Sequence, residues 1–140
     1  MLRKVACLFV IALTLAPAML IAQNASKQKA AVVSAEKWLG LIDNGKYAAS
    51  WKEAGTFFRK NVTEQKWEQT MQGMRKPLGS LVSRKLKTDV YETSLPGAPD
   101  GEYFVMQFDT SFANKKSAVE TVTTMLDKDG QWRAVGYFIR

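Results

Sequence analysis

The hydrophobic spacing changes period once along the chain, near Ser80, and that switch limits the fold more than any other feature. Before it, Ala35, Trp38, Leu39 and Ile42 stand at i, i+3, i+4 and i+7, which predicts a helix from about Ser26 to Ile42, ended by Asp43-Asn44-Gly45. Tyr47, Trp51, Ala54 and Phe58 continue the spacing into a short second helix that breaks near Gly55. Phe57 and Phe58 are then expected on a turn that drops both rings into the core. Thr63 is placed to cap a third helix, with Glu64 in its first turn and Trp67, Thr70, Met71 and Met74 on its inner face. Pro77 and Gly79 stop it.

After Ser80 the period is two. Val82, Arg84, Leu86, Thr88 and Val90 share one face of a predicted strand, with Ser83, Lys85, Lys87 and Asp89 on the other. Residues 95–101 form a turn-rich connection, and Phe104, Met106, Phe108, Thr110 and Phe112 then alternate with Tyr103, Val105, Gln107, Asp109 and Ser111. A turn at Asn114-Lys115-Lys116 leads to a strand from Ala118 to Leu126. The Asp129-Gly130 pair is the strongest hairpin signal, and the last strand runs from Trp132 to Ile139. Three N-terminal helices followed by four strands on hairpin-length turns imply an α+β fold, with the helices packed on one face of a curved antiparallel sheet. One domain over residues 23–140 is enough, since a chain of this size buries roughly two thirds of its unfolded surface.

Residues 1–22 read as a cleaved signal peptide. Arg3 and Lys4 precede an apolar run from Val5, and Ala22 stands before the polar Gln23-Asn24-Ala25-Ser26, which places cleavage after Ala22 and the mature protein in the periplasm or outside the cell. The alternative is an uncleaved anchor, because Val5 to Ala22 carries no charge and approaches the length of a spanning helix. Cys7 lies inside the leader, too early for a lipidation site, so the mature chain has neither a thiol nor a disulfide, and no membrane anchor is expected after cleavage. The chain has no histidine either, which removes the commonest general base and metal ligand. No metal or other cofactor is implied. The mature chain carries 18 basic and 13 acidic residues, a moderate +5 spread along its length, which reads as a solvated surface and not a nucleic-acid footprint.

The leader, the Trp38 helix, Tyr47-Ala48-Ala49-Ser50-Trp51, the segment Arg75-Lys76-Pro77-Leu78-Gly79 leading to Ser83-Arg84, and the ending Gly130 to Arg140 together resemble the bacterial exported family called domain of unknown function 4019. That resemblance implies a bacterial, periplasmic or secreted protein and carries no catalytic residue. The element order is also similar to the nuclear-transport-factor-2-like, cystatin-like cone. This superfold hosts isomerases, dehydratases, carriers and assembly domains alike, so it selects no function.

Strand parity picks out one pair. Arg84 shares a face with Val82, Leu86 and Val90, and Glu120 shares one with Ala118, Val122 and Leu126. If both faces point inward, an arginine and a carboxylate enter an apolar space, either as a buried ion pair or as a binding site, with Arg84 taking an anion and Glu120 orienting it or acting as a base. Tyr137 would add a polar handle, and Trp51 and Trp67 an aromatic wall. Trp38, Phe58, Phe104, Phe108 and Trp132 sit at inward positions and read as core. Asp43, Asp89, Asp109 and Asp129 read as solvated charge. Two functions follow: a non-catalytic module binding a small apolar or anionic ligand or an envelope protein, or an isomerase- or dehydratase-like enzyme using Glu120 and Tyr137. The first fits the missing histidine and thiol better. An outer sheet face carrying Tyr103, Val105, Val119 and Met125 would allow a homodimer.

Overall fold

The computed structural model describes residues 16–140, with the side chain of residue 16 left aside. Helix α1 spans Ala16–Asp43, α2 Tyr47–Glu53, α3 Thr56–Asn61 and α4 Glu64–Met74; a 3-10 turn at Lys76–Leu78 then leads into strands β1 Leu81–Glu92, β2 Tyr103–Phe112, β3 Lys115–Leu126 and β4 Trp132–Ile139. The α+β expectation holds. Arg3, Lys4, Cys7 and most of the leader's apolar run lie outside the described residues, while its last residues form the first turns of α1.

The helix count needs correction, because the segment expected as a turn is α3. Gly55, in extended conformation, caps it, and the Gly55 N–H donates to the Ala134 carbonyl at 2.7 Å. A Cβ at Gly55 would lie 2.7 Å from Val135 Cγ1, so only glycine lets the chain pass this close to β4. Helical geometry then separates the two rings: Phe58 is buried and Phe57 only partly so. Thr63 caps α4 as expected, its Oγ1 accepting from the Lys66 N–H at 3.2 Å. Trp67 and Met71 are buried, but Thr70 is exposed and donates back to the Lys66 carbonyl.

The strands pair antiparallel in the order β1-β2-β3-β4, and the helices pack on the face carrying Phe104, Met106, Phe108 and Val122. Ala31, Ala35, Trp38, Leu39 and Ile42 of α1 meet that face. Register irregularities between Leu81 and Ser83 and between Leu86 and Thr88 break the simple alternation of β1. Arg84 and Leu86 therefore point inward, while Val82 and Val90 turn out to solvent at 66% and 49% exposure, and Asp89 turns in to accept from Gln28. Lys27 adds a 2.7 Å bond to Glu102, so the start of the packed part of α1 is tied to the far end of the sheet by polar groups. Tyr103 also differs from expectation. Its ring is fully buried and its hydroxyl donates to the Pro99 carbonyl, which removes the largest side chain from the open outer face.

The Asp-Gly hairpin forms between β3 and β4, with Gly130 at φ 81°. Arg133 reaches back to Asp127 Oδ2 at 3.0 Å and to both Asp129 oxygens at 2.8 Å. The Arg133 guanidinium, helped by the Gln131 N–H, lowers the Asp129 carboxyl to about 2. A depressed carboxyl stabilises the turn fully above its ordinary value near 3.8 and loses that contribution as pH falls through about 2. Carbon-13 titration of Asp129 should give a midpoint near 2, with the Gln131 amide shifting in step; a midpoint near 4 would show that the pair does not form.

Candidate functional site

Arg84 and Glu120, paired by parity in the sequence, meet in the structure. Arg84 faces Thr110 across β1 and β2, and Val122 faces Tyr137 across β3 and β4. Glu120 is diagonal to both pairs and its side chain is fully buried. Its Oε1 accepts from Arg84 Nε at 2.7 Å and from Thr110 Oγ1 at 2.6 Å; its Oε2 accepts from Arg84 Nη2 at 3.1 Å and from the Tyr137 hydroxyl. Four donors occupy the four acceptor positions of an ionised carboxylate.

Asp43 extends the cluster. It closes α1, where a carboxylate opposes the negative end of the helix dipole, and two guanidinium groups offset that. Arg84 donates to it twice, Nη1 to Oδ2 at 2.7 Å and Nη2 to Oδ1 at 2.9 Å, and Arg75 Nη2 adds a bond of 3.2 Å. Arg75 in turn donates from Nη1 to the Gly79 carbonyl at 2.6 Å and lies over the Phe112 ring at 4.3 Å. The result is one alternating chain, Arg75 to Asp43 to Arg84 to Glu120 to Tyr137, that stitches α1 and the end of α4 to β1, β3 and β4. Asp43 is thus a corrected reading: it is an internal ion-pair member and not a solvated turn residue.

Burial alone would lower the Arg84 pKa, but its hydrogen bonds to Asp43 and Glu120 outweigh that and hold the guanidinium charged. Burial raises the Tyr137 hydroxyl first, and the Glu120 charge and hydrogen bond raise it further, so the phenol keeps its proton throughout the physiological range. The arrangement can fix the helix layer against the sheet. It offers no free lone pair on Glu120 to take a substrate proton.

The aromatic residues close this space. Trp38 and Trp67 stack at 5.7 Å between ring centres, and Tyr137 stands edge-on to Trp38 at 5.6 Å. Both indole N–H groups end on Ser50: Trp38 Nε1 donates to its carbonyl at 2.7 Å and Trp67 Nε1 to its hydroxyl at 2.8 Å. Trp51 Nε1 donates to the Val62 carbonyl at 2.7 Å. Arg84, Glu120, Tyr137, Trp51 and Trp67 line none of three surface grooves of about 680, 730 and 640 Å³. The structure therefore brings Arg84, Glu120 and Tyr137 together with one another, and holds Trp67 beside Tyr137 but Trp51 apart.

Sequence reasoning missed Asp43, Thr110, Arg75 and Ser50. Two of them carried a signal. A carboxylate at a helix C-terminus is unfavourable without a cation, and Ser50 stands on the stripe Tyr47, Ser50, Trp51, Ala54, where a polar side chain needs a buried partner. Among the described residues no group of three or more histidine, cysteine, aspartate or glutamate side chains is placed to hold a metal ion.

No curated protein matches the chain. The family model described as "Protein of unknown function (DUF4019)" matches residues 34–137, from the packed part of α1 through α2, α3 and α4 to Tyr137 of β4. That match takes in Asp43, Arg75, Arg84, Thr110, Glu120 and Tyr137, and the chain belongs to this family of unknown function.

Proposed function

We propose that this chain is an exported, non-catalytic binding module of a bacterial envelope, with a cone-like fold held together by the Arg84–Glu120 network. The observation that carries the reading is the saturation of Glu120: the one fully buried carboxylate among the described residues is consumed by Arg84, Thr110 and Tyr137. An enzyme of the isomerase kind would have to strip donors from Glu120 before it could accept a proton. Export is supported by the leader's composition and by the exposure of Met19, Leu20 and Ile21, so among the described residues cleavage after Ala22 removes none that belongs to the core.

Native mass spectrometry of the protein purified from the envelope of its own host tests this. The expected result is a chain beginning at Gln23 that retains a small molecule or partner, and retains it equally in a folded Glu120→Gln variant. A mass that still includes the leader would overturn cleavage. Loss of the bound species from the folded Glu120→Gln variant would overturn the structural role of Glu120 and restore the enzyme reading.

A further inference from the structure

Beneath the end of α1 lies the groove of about 680 Å³, bounded by the α1–α2 turn, α4 and the chain entering β1. Its volume is that of a small-molecule site. Three cations line it, Lys46, Arg75 and Lys76, against two carboxylates, Asp43 and Glu68; Asp43 is taken up by Arg75 and Arg84, and neither lysine has a carboxylate within ion-pair distance among the described residues. Arg75 is only 3% exposed, yet its Nε–H has no partner, while its other nitrogens are held by Asp43 and Gly79. The Nε nitrogen is closed to solvent, so what Arg75 brings to the groove is its charge. The wall contributed by α2 is Tyr47, Ala48 and Ala49, and the small side chains of the two alanines leave the space open.

We propose that this groove binds a small organic or inorganic anion carrying a carboxylate or phosphate group, seated between Lys46 and Lys76 with Arg75 at its floor. The two lysines confer the charge preference. Arg75 couples the occupied groove to the buried network, because the same guanidinium holds Asp43. The inference rests on the binding-module reading and names the ligand class and the place. Glu68, which also lines the groove from α4, repels a fully ionised anion and so makes the groove selective for one that keeps a hydroxyl or a proton to donate to it.

The test is an amide-proton NMR titration of the mature protein with inorganic phosphate and, separately, with succinate. Saturable shifts confined to residues 45–49 and 72–80 are expected, and which probe saturates first distinguishes a phosphate from a carboxylate ligand. Lys46→Ala and Lys76→Ala should each weaken binding about fivefold, as expected for one exposed ion pair. Ala49→Leu removes no charge and should abolish binding by filling the groove, and a matched amide spectrum elsewhere shows that the variant still folds. Non-saturating shifts spread equally over Lys85, Lys87, Lys115 and Lys116 would overturn the proposal as general attraction to a basic surface, as would unchanged affinity in Ala49→Leu. Either failure leaves the binding-module reading standing if the envelope-purified protein still carries a partner, so the two are told apart.

Discussion

Glu120→Ala should cost about 3–5 kcal/mol of folding stability, because it leaves Arg84 short of one of its two carboxylate partners and strands the Thr110 and Tyr137 hydroxyls. That is a large part of the ~5–15 kcal/mol that holds a domain of this kind together. Urea unfolding would show it as a lower midpoint, and thermal unfolding as a drop of roughly 10–25 °C for a chain of this length. Glu120→Gln keeps the shape but loses the charge against Arg84 and presents an amide to at least one donor, so about half that loss is expected. A catalytic carboxylate would behave differently: its amide variant would fold nearly as well as the parent and fail only in turnover.

Trp67→Ala should be comparably damaging, at about 3–5 kcal/mol. The ring stands edge-on to Phe58 at 5.1 Å and stacks on Trp38, and its indole N–H is one of the two that end on the fully buried Ser50. Removing it opens a cavity in the middle of the helix layer and leaves the Ser50 hydroxyl without its donor. Trp67→Phe fills most of the space and should cost about 1–2 kcal/mol, chiefly the hydrogen bond. Equilibrium denaturation of the two variants checks the order; equal, small losses would mean that Trp67 borders open space rather than core.

The fold and half of the cluster were legible because their signals are periodic. The change of spacing at Ser80 separated helices from sheet, and the Asp129-Gly130 turn and the Trp132–Ile139 strand came out where the residues said they would. Arg84 and Glu120 were found together because each shares a face with apolar neighbours, and that parity survives locally in β1. It fails two residues either side of the Arg84–Leu86 stretch, where the irregularities of register turn Val82, Thr88 and Val90 outward; such an insertion leaves no mark in an alternating sequence. The α3 helix was hidden for a related reason. Gly55 reads as a break, and only the closeness of Val135 shows that the glycine serves a tight approach and then caps a new helix. Asp43 is 41 residues from Arg84 in sequence, and Arg75 joins it across the 3-10 turn before β1, so their meeting is a product of tertiary packing and not of strand parity.

Arg75 links the two parts of the account. It belongs to the buried chain of alternating charges through Asp43 and it is also one of the residues that line the groove. Occupation of the groove would therefore reinforce the same contact that anchors α1, and binding and stability should rise together.

The most direct test of the central claim is a double-mutant cycle between Arg84→Met and Glu120→Leu, read by urea unfolding of residues 23–140. If the pair is the internal tie described here, each single change will be strongly destabilising and the double change will cost less than their sum, with a coupling above about 2 kcal/mol. Additive single effects with a coupling near zero would contradict it, and would mean that Arg84 and Glu120 face something other than each other.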